Sequence, residues 1–407
     1  MTSRYAGLTR AELATLVPEL LLVGQLIDRS GMAWCISAWG REEMARVAVE
    51  EWAGSSPVYT RRMQRALRYE GIDVVTIFKG LQLDIGAPPQ FMDFRYDVQD
   101  RWHGRFHLDH CGALMDVEPM GESYVRSMCH DIEDPTFDAT AVATNPRARV
   151  RPVHRPPRSA DDLAADRRPH CEWTVVIDDA HPEVAPLEPY YVIVRTRAAQ
   201  LELDPIDPTD EGASDYSGPL LSDLDFGAFS HSALVRIADE VCLQMHLLNL
   251  SFRLAVDKRA GDGEQAHEIA TKQLVGVAGI AAERISRALG TDDPLRILEL
   301  HPVLNPAAYV DADVDASRLT VRPSAAHDDG GWLALCGPGR LAALQAIVRA
   351  VDPHLDVEVD GVDDAWTATV VRRAEPAPEA AEVAVTRFST GAAFEFAPRR
   401  SLPITPV

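Results

Sequence analysis

The chain has 407 residues, 46% of them hydrophobic, and a formal net charge of -22. That length allows about two to three domains. The charge is spread along the chain, which excludes nucleic acid and anionic membrane as expected partners, because phosphate binding needs a positive face. Met1 to Arg10 lacks a basic region followed by an apolar one. The longest apolar stretch, Leu13 to Ile27, is broken by Pro18, Glu19, Gly24 and Gln25 and is too short to span a bilayer. The expectation is a cytoplasmic protein with reduced cysteines.

Residues 11 to 70 read as helical. Leu13, Leu16, Val17, Leu20, Leu21, Leu26 and Ile27 recur at helical spacing, and so do Met44, Val47, Ala48 and Trp52 after the Trp39-Gly40 break. Ser55-Ser56-Pro57 predicts a third helix that starts at Pro57 and runs through Leu67. Phe94 to Val98 and Arg105 to Asp109 alternate like strands. Residues 144 to 170, rich in Pro, Arg and Asp, read as a long loop. Trp173 to Ile177 and Tyr190 to Val194 read as strands, and residues 204 to 228 as a polar linker.

A second helical block opens at Phe229. Its last helix ends Arg284-Ile285-Ser286-Arg287-Ala288-Leu289, and the first block's ends Arg62-Met63-Gln64-Arg65-Ala66-Leu67. Cys336-Gly337 echoes Cys111-Gly112, and Trp366-Thr367 echoes Trp173-Thr174. The expected fold class is α+β, as two tandem, diverged copies of a helical block followed by a small, mostly antiparallel sheet. The first copy spans residues 1–203, a linker 204–228, and a degenerate second copy 229–407. The first copy is longer in the stretch that holds Cys129, His130 and His154, so it is the copy expected to carry chemistry.

That stretch concentrates soft and borderline ligands. Seven of the 13 histidines and three of the six cysteines lie between His103 and His181. Cys111, Cys129, His130 and His154 would make a tetrahedral zinc site, or an iron site with the same ligands. A thiolate beside an imidazole is also the pairing of a nucleophilic cysteine. No C-x-x-C or H-E-x-x-H spacing is present, so any metal site must be assembled from separate elements. Cys171, Cys35 and Cys242 read as core residues. Seven acids crowd the same segment, among them Glu122, Asp131, Glu133 and Asp134; each singly reads as solvated surface, Glu122 and Asp131 excepted. Arg147, Arg149, Arg151, Arg155 and Arg158 share one proline-punctuated loop, either clamping an anion or pairing with the chain's own carboxylates. Arg155, beside His154, is the candidate anchor for a substrate carboxylate.

Asp28, Trp34, the Trp39-Gly40-Arg41-Glu42-Glu43-Met44-Ala45 turn, the strand leading to Cys111, then Gly121-Glu122 and Cys129-His130-Asp131 are similar in order to the L-2-amino-thiazoline-4-carboxylic acid hydrolase-like family. The resemblance covers about residues 10 to 135. It implies hydrolytic opening of a thiazoline ring at its amidine carbon, with Cys111 and Cys129 at the site, Asp131 as an accessory acid or base, and Glu122 beside them.

The leading expectation is a hydrolase acting on a C–N bond of a small amidine- or amide-like molecule, with a Cys/His site that takes zinc or iron. A metal- or cofactor-binding protein without hydrolytic turnover, or a helical interaction scaffold, are the alternatives. A homodimer is the expected assembly, since closed symmetric pairs are commonest.

Overall fold

A computed structural model describes residues 2–315, 317–389 and 399–404. The first half runs α1 (Arg10–Trp39), α2 (Arg41–Ala66), α3 (Val74–Leu81), β1 (Met92–Val98), β2 (His103–Cys111), α4 (Gly112–Val117), α5 (Glu122–Arg126), a one-turn π-helix (Ser127–Ile132), α6 (Glu133–Val142), β3 (Ala148–His154), α7 (Ala160–Ala164), β4 (Cys171–Ile177), α8 (Glu188–Ile193) and α9 (Arg197–Gln200). The second half runs α10 (His231–Asp257), α11 (Gly263–Leu289), α12 (Pro294–Leu300), β5 (Ala312–Val314), β6 (Arg318–Val321), α13 (Ala325–Asp329), α14 (Ala342–Val351), β7 (Leu355–Val362), β8 (Ala365–Arg372) and α15 (Ala381–Arg387).

The mixed α+β class is as expected. Both sheets are four-stranded and antiparallel, and both have the same order: β1-β2-β4-β3 and β5-β6-β8-β7. Each half therefore repeats two long helices, a short helix, a hairpin, helical connections and a second hairpin. Trp173 and Trp366 sit on the matching strands β4 and β8. Cys111 and Cys336 do not match, because Cys111 ends β2 while Cys336 follows a 3₁₀ turn well beyond β6.

The four long helices form one bundle in which the halves interleave. The closest packing is α2 on α10 and α1 on α11, across the halves rather than within them. Their sequences explain the crossing. Glu19 and Glu240 are each the tenth residue of their helix, and Arg62 and Arg284 each the twenty-second. Arg62 Nε lies 2.9 Å from the buried Glu240, and the buried Arg284 pairs with the half-buried Glu19, so two matching ion pairs tie the halves together. A second matching set permits close approach. Ser251 Oγ donates to the Glu50 carbonyl at 2.9 Å beside Gly54, and Ser30 Oγ donates to the Gln273 carbonyl at 2.9 Å beside Gly276. A Cβ at either glycine would collide with the facing serine.

Several local expectations are corrected. No third helix starts at Pro57: α2 runs through it, because packing on α10 outweighs the one backbone bond a proline removes. The 144–170 loop contains the edge strand β3, where Pro152 is tolerated because it costs no interior ladder bond. Tyr190 to Val194 lies largely in helix α8, which carries Pro189 in its first turn and buries Pro189 and Ile193, four residues apart. The 204–228 segment is a docked strap. Tyr216, Leu220 and Phe226 are buried in it, and Lys79 Nζ donates to the carbonyls of Tyr216 (2.8 Å) and Gly218 (2.6 Å).

Replacing Glu240 with Ala would leave the Arg62 guanidinium buried without its carboxylate. The expected cost is about 3–5 kcal/mol, read as a lower midpoint of urea unfolding.

Candidate functional site

The first sheet, the α4–α6 segment and the bundle enclose two adjoining cavities. The inner one, ≈ 60 Å³, is walled by Arg29, Trp52, Tyr59, Asp84, Phe94 and Glu133, among others. Glu133 and Phe137 also line the second, ≈ 20 Å³, whose other walls include Cys111, Cys129, Cys171, His170 and Arg155. A wider recess of ≈ 410 Å³ shares Ala87, Met92 and Phe94 with the inner cavity and is lined further by Gln90, Tyr96 and Asp223.

Local structure places these groups. Cys111 ends β2 and caps α4, its Sγ accepting from the Leu114 N–H at 3.4 Å. The β2–β4 register pairs Leu108 with Cys171, which sets Cys171 beside the end of β2. Cys129 lies in the π-helix, a form that recurs at functional sites because it re-aims side chains within a helical run. Glu133 follows as the first residue of α6, four residues beyond Cys129, so both face the sheet. Phe94, Phe106, Phe137 and Trp173 pack edge-on or tilted behind them.

The charges are organised around Arg29. Its guanidinium pairs with Asp28, whose other oxygen accepts from Trp52 Nε1 at 3.0 Å. Asp84 accepts from Tyr59 Oη at 2.8 Å and from the Gly86 N–H at 2.7 Å. Burial lifts Asp84 to about 6, with those two hydrogen bonds holding it down. Burial lifts Glu133 to about 8, opposed by Arg29 and assisted by Asp134 and Asp28. Burial pushes the Cys111 thiol up to about 12 and raises Cys129 and Cys171 as well. This is the reverse of what a nucleophilic thiolate needs.

Of the residues singled out in the sequence, Cys111 and Cys129 do come together, joined by Cys171, which had read as core. The remainder disperse. His130 Nε2 lies 2.7 Å from the Pro156 carbonyl, and His154 is exposed on edge strand β3. Among the described residues no group of three or more His, Cys, Asp or Glu side chains is arranged to hold a metal ion. The quartet of Cys111, Cys129, His130 and His154 is therefore not assembled as a zinc or iron site, because a strand edge turns His154 to solvent. Glu122 and Asp131 are exposed. Glu122 pairs with Arg126, and Asp131 accepts from Ser127 Oγ at 3.4 Å, on the outer side of the helical segment. Arg155 pairs with Asp134, donates to the Cys129 carbonyl at 3.2 Å and lies over the Trp173 ring, so its fork holds protein groups. Arg147, Arg151 and Arg158 likewise pair with the chain's own carboxylates, Glu183, Asp138 and Glu118.

The sequence reading missed Arg29, Tyr59 and Asp84, and took Glu133 for surface. One signal was available. Asp28-Arg29 stands in the middle of an apolar helix, where a charge must be paired or serve a site. Comparison with known protein families, with curated proteins and with solved structures found no match.

Two measurements check this electrostatic picture. The thiols of Cys111, Cys129 and Cys171 should alkylate with iodoacetamide at pH 8 only after unfolding; fast labelling of the native protein would contradict their burial. Glu133 has its native pKa above its unfolded one, so its stabilising contribution is complete below about 4.5 and is lost as pH rises through about 8. The melting temperature should thus fall between pH 5 and pH 8, and by less in Glu133→Gln.

Proposed function

We propose that this protein is a small-molecule hydrolase that cleaves a C–N bond by acid–base chemistry in the inner cavity. One observation carries the reading. Asp84 and Glu133 face the same cavity, and their surroundings set them on opposite sides of neutrality, near 6 and near 8. Two carboxyl groups separated in this way divide into a base and an acid. At neutral pH Asp84 is an anion able to take a proton from water, and Glu133 is a neutral acid able to give one.

In the reaction proposed, water adds to an amidine or amide carbon while Asp84 accepts the water proton. Glu133 then protonates the departing nitrogen, and the C–N bond breaks. Tyr59 holds Asp84 in place by its hydrogen bond. The cavity is the size of about two waters, so the reacting group is small and the rest of the substrate extends into the adjoining recess. The thiols form an apolar, neutral wall in this scheme rather than the nucleophile. The resemblance to the thiazoline-carboxylate hydrolase-like family names the first compounds to try, cyclic amidines bearing a carboxylate.

A panel of cyclic and acyclic amidines and primary amides should be screened for release of ammonia or, from thiazolines, of a free amine with the sulfur left acylated. Activity should rise through pH 6 as Asp84 ionises and fall through pH 8 as Glu133 ionises. Asp84→Asn should remove the acid limb and Glu133→Gln the alkaline limb, each with a loss of about 10²–10⁴ in kcat. An active enzyme whose rate and pH profile are unchanged in both variants would refute the assignment.

A further inference from the structure

The second half of the bundle supplies a control for the first. Asp28 and Asn249 are each the nineteenth residue of α1 and α10, and Glu51 and Gln273 each the eleventh of α2 and α11. The matching ion pairs and serine–glycine contacts share this numbering, so the positions correspond. In the second half the two side chains are amides. Asn249 Nδ2 donates to Gln273 Oε1 at 2.9 Å, and both residues are fully buried. In the first half they are acids, equally buried, and there the polar groups are poorly satisfied. Both Glu51 carboxyl oxygens and Arg29 Nε have no hydrogen-bond partner among the described residues. The amide pair also leaves Asn249 Oδ1 and Gln273 Nε2 without a partner among the described residues, but a buried carboxyl still costs more than a buried amide, because only the acid can carry a charge there. The bundle thus accepts amides at these positions and carries the costlier acids in the half where their neighbours Arg29 and Trp52 line the cavity.

We infer that Asp28 and Glu51 are kept as acids for the cavity and not for the bundle, as a positioning pair that holds Arg29 in the cavity wall facing Glu133. Asp28 grips the Arg29 guanidinium directly and fixes Trp52 through its indole N–H. Glu51 stands next to Trp52 on α2, within electrostatic reach of Asp28 and Arg29. Arg29 is the α1 cation that acts on Glu133. The other groups acting on Glu133 are Asp28 from α1, Asp134 from α6 itself and Arg155 from the segment after β3. The neutral thiols of Cys111, Cys129 and Cys171 share its cavity. The role in catalysis rests on the reading of Glu133 as the acid; the role as a positioning pair does not.

The test needs no substrate. Asp28→Asn, Glu51→Gln and the double variant, with Asn249→Asp/Gln273→Glu as the mirror image, are compared with the wild-type chain in two ways. Thermal unfolding at pH 7 gives the stability, and the ¹³C-carboxyl NMR titration of Glu133 gives its midpoint. The inference expects the double amide variant to melt at or above the wild-type temperature, and the mirror variant below it. It also expects the Glu133 midpoint to move up by at least half a unit in the double amide variant, because Arg29, no longer held in the wall, withdraws the charge that most opposes the rise of Glu133, a larger change than the loss of the Asp28 repulsion. Melting of both single variants well below the wild type would show that the acids serve the bundle and would overturn the inference. An unmoved Glu133 midpoint would overturn it as well. Failure of every amidine and amide as substrate, with the midpoint shifted as expected, would remove the hydrolase reading and leave the positioning pair standing.

Discussion

The structure depends on two arginine–glutamate pairs built on buried arginines, Arg62–Glu240 and Glu19–Arg284, that cross from one half of the chain to the other. A buried guanidinium is tolerable only when its carboxylate partner stands in register. Each pair therefore fixes the axial position of one long helix against another, α2 against α10 and α1 against α11. The serines and glycines further along these helices then bring the backbones close enough for Ser251 and Ser30 to bond to main-chain carbonyls of the facing helix. The first sheet and the α4–α6 segment have little choice of position once the bundle is set. They lie over the faces of α1 and α2, where Arg29, Trp52 and Tyr59 point outward into the cavity.

The two halves share an order of helices and strands and use it differently. Helix order, sheet order, ion pairs and close contacts repeat, so the mechanical demands of the fold are met alike in both halves. The polar groups inside do not repeat. Asp28 and Glu51 face Asn249 and Gln273 as their counterparts. His246, the counterpart of Gln25 by position in its helix, is buried against Tyr309 and Trp332 and held between the Pro302 and Asn305 carbonyls. At these positions the second half carries amides and an imidazole in place of acids. The first half retains unsatisfied, titratable groups beside a cavity. Strain of this kind is expected where a protein keeps chemistry, since stability alone would select against it.

The pull between burial and charge also explains the fate of the histidine and cysteine cluster. The cysteines are small and apolar enough to enter the core, and Cys111, Cys129 and Cys171 all did. The imidazoles of His130 and His154 stay half-buried or exposed, where water or a carbonyl serves their ring nitrogens. Ligands sorted in this way by solubility end on different sides of the same layer. Sequence proximity, as in Cys129-His130, is thus a poor guide to a shared site: neighbouring residues on a helix point about 100° apart.

The sequence by itself determined what depends on period and composition. The long helices, the strands β1, β2 and β4, the mixed α+β class and the matched ends of the helical blocks are local patterns, and each was legible because burial on one face imposes a spacing of 3.6 or 2 residues. Tertiary structure alone decided which helix pairs with which, that α2 runs through Pro57, that β3 adds an edge strand inside a proline-rich segment, and which acids face inward. Glu133 and Asp131 lie two residues apart in one acidic run, yet one lines the cavity and the other faces solvent. That choice is made by the π-turn and by the packing of α6 on α2, contacts between residues far apart in the chain that no local spacing encodes.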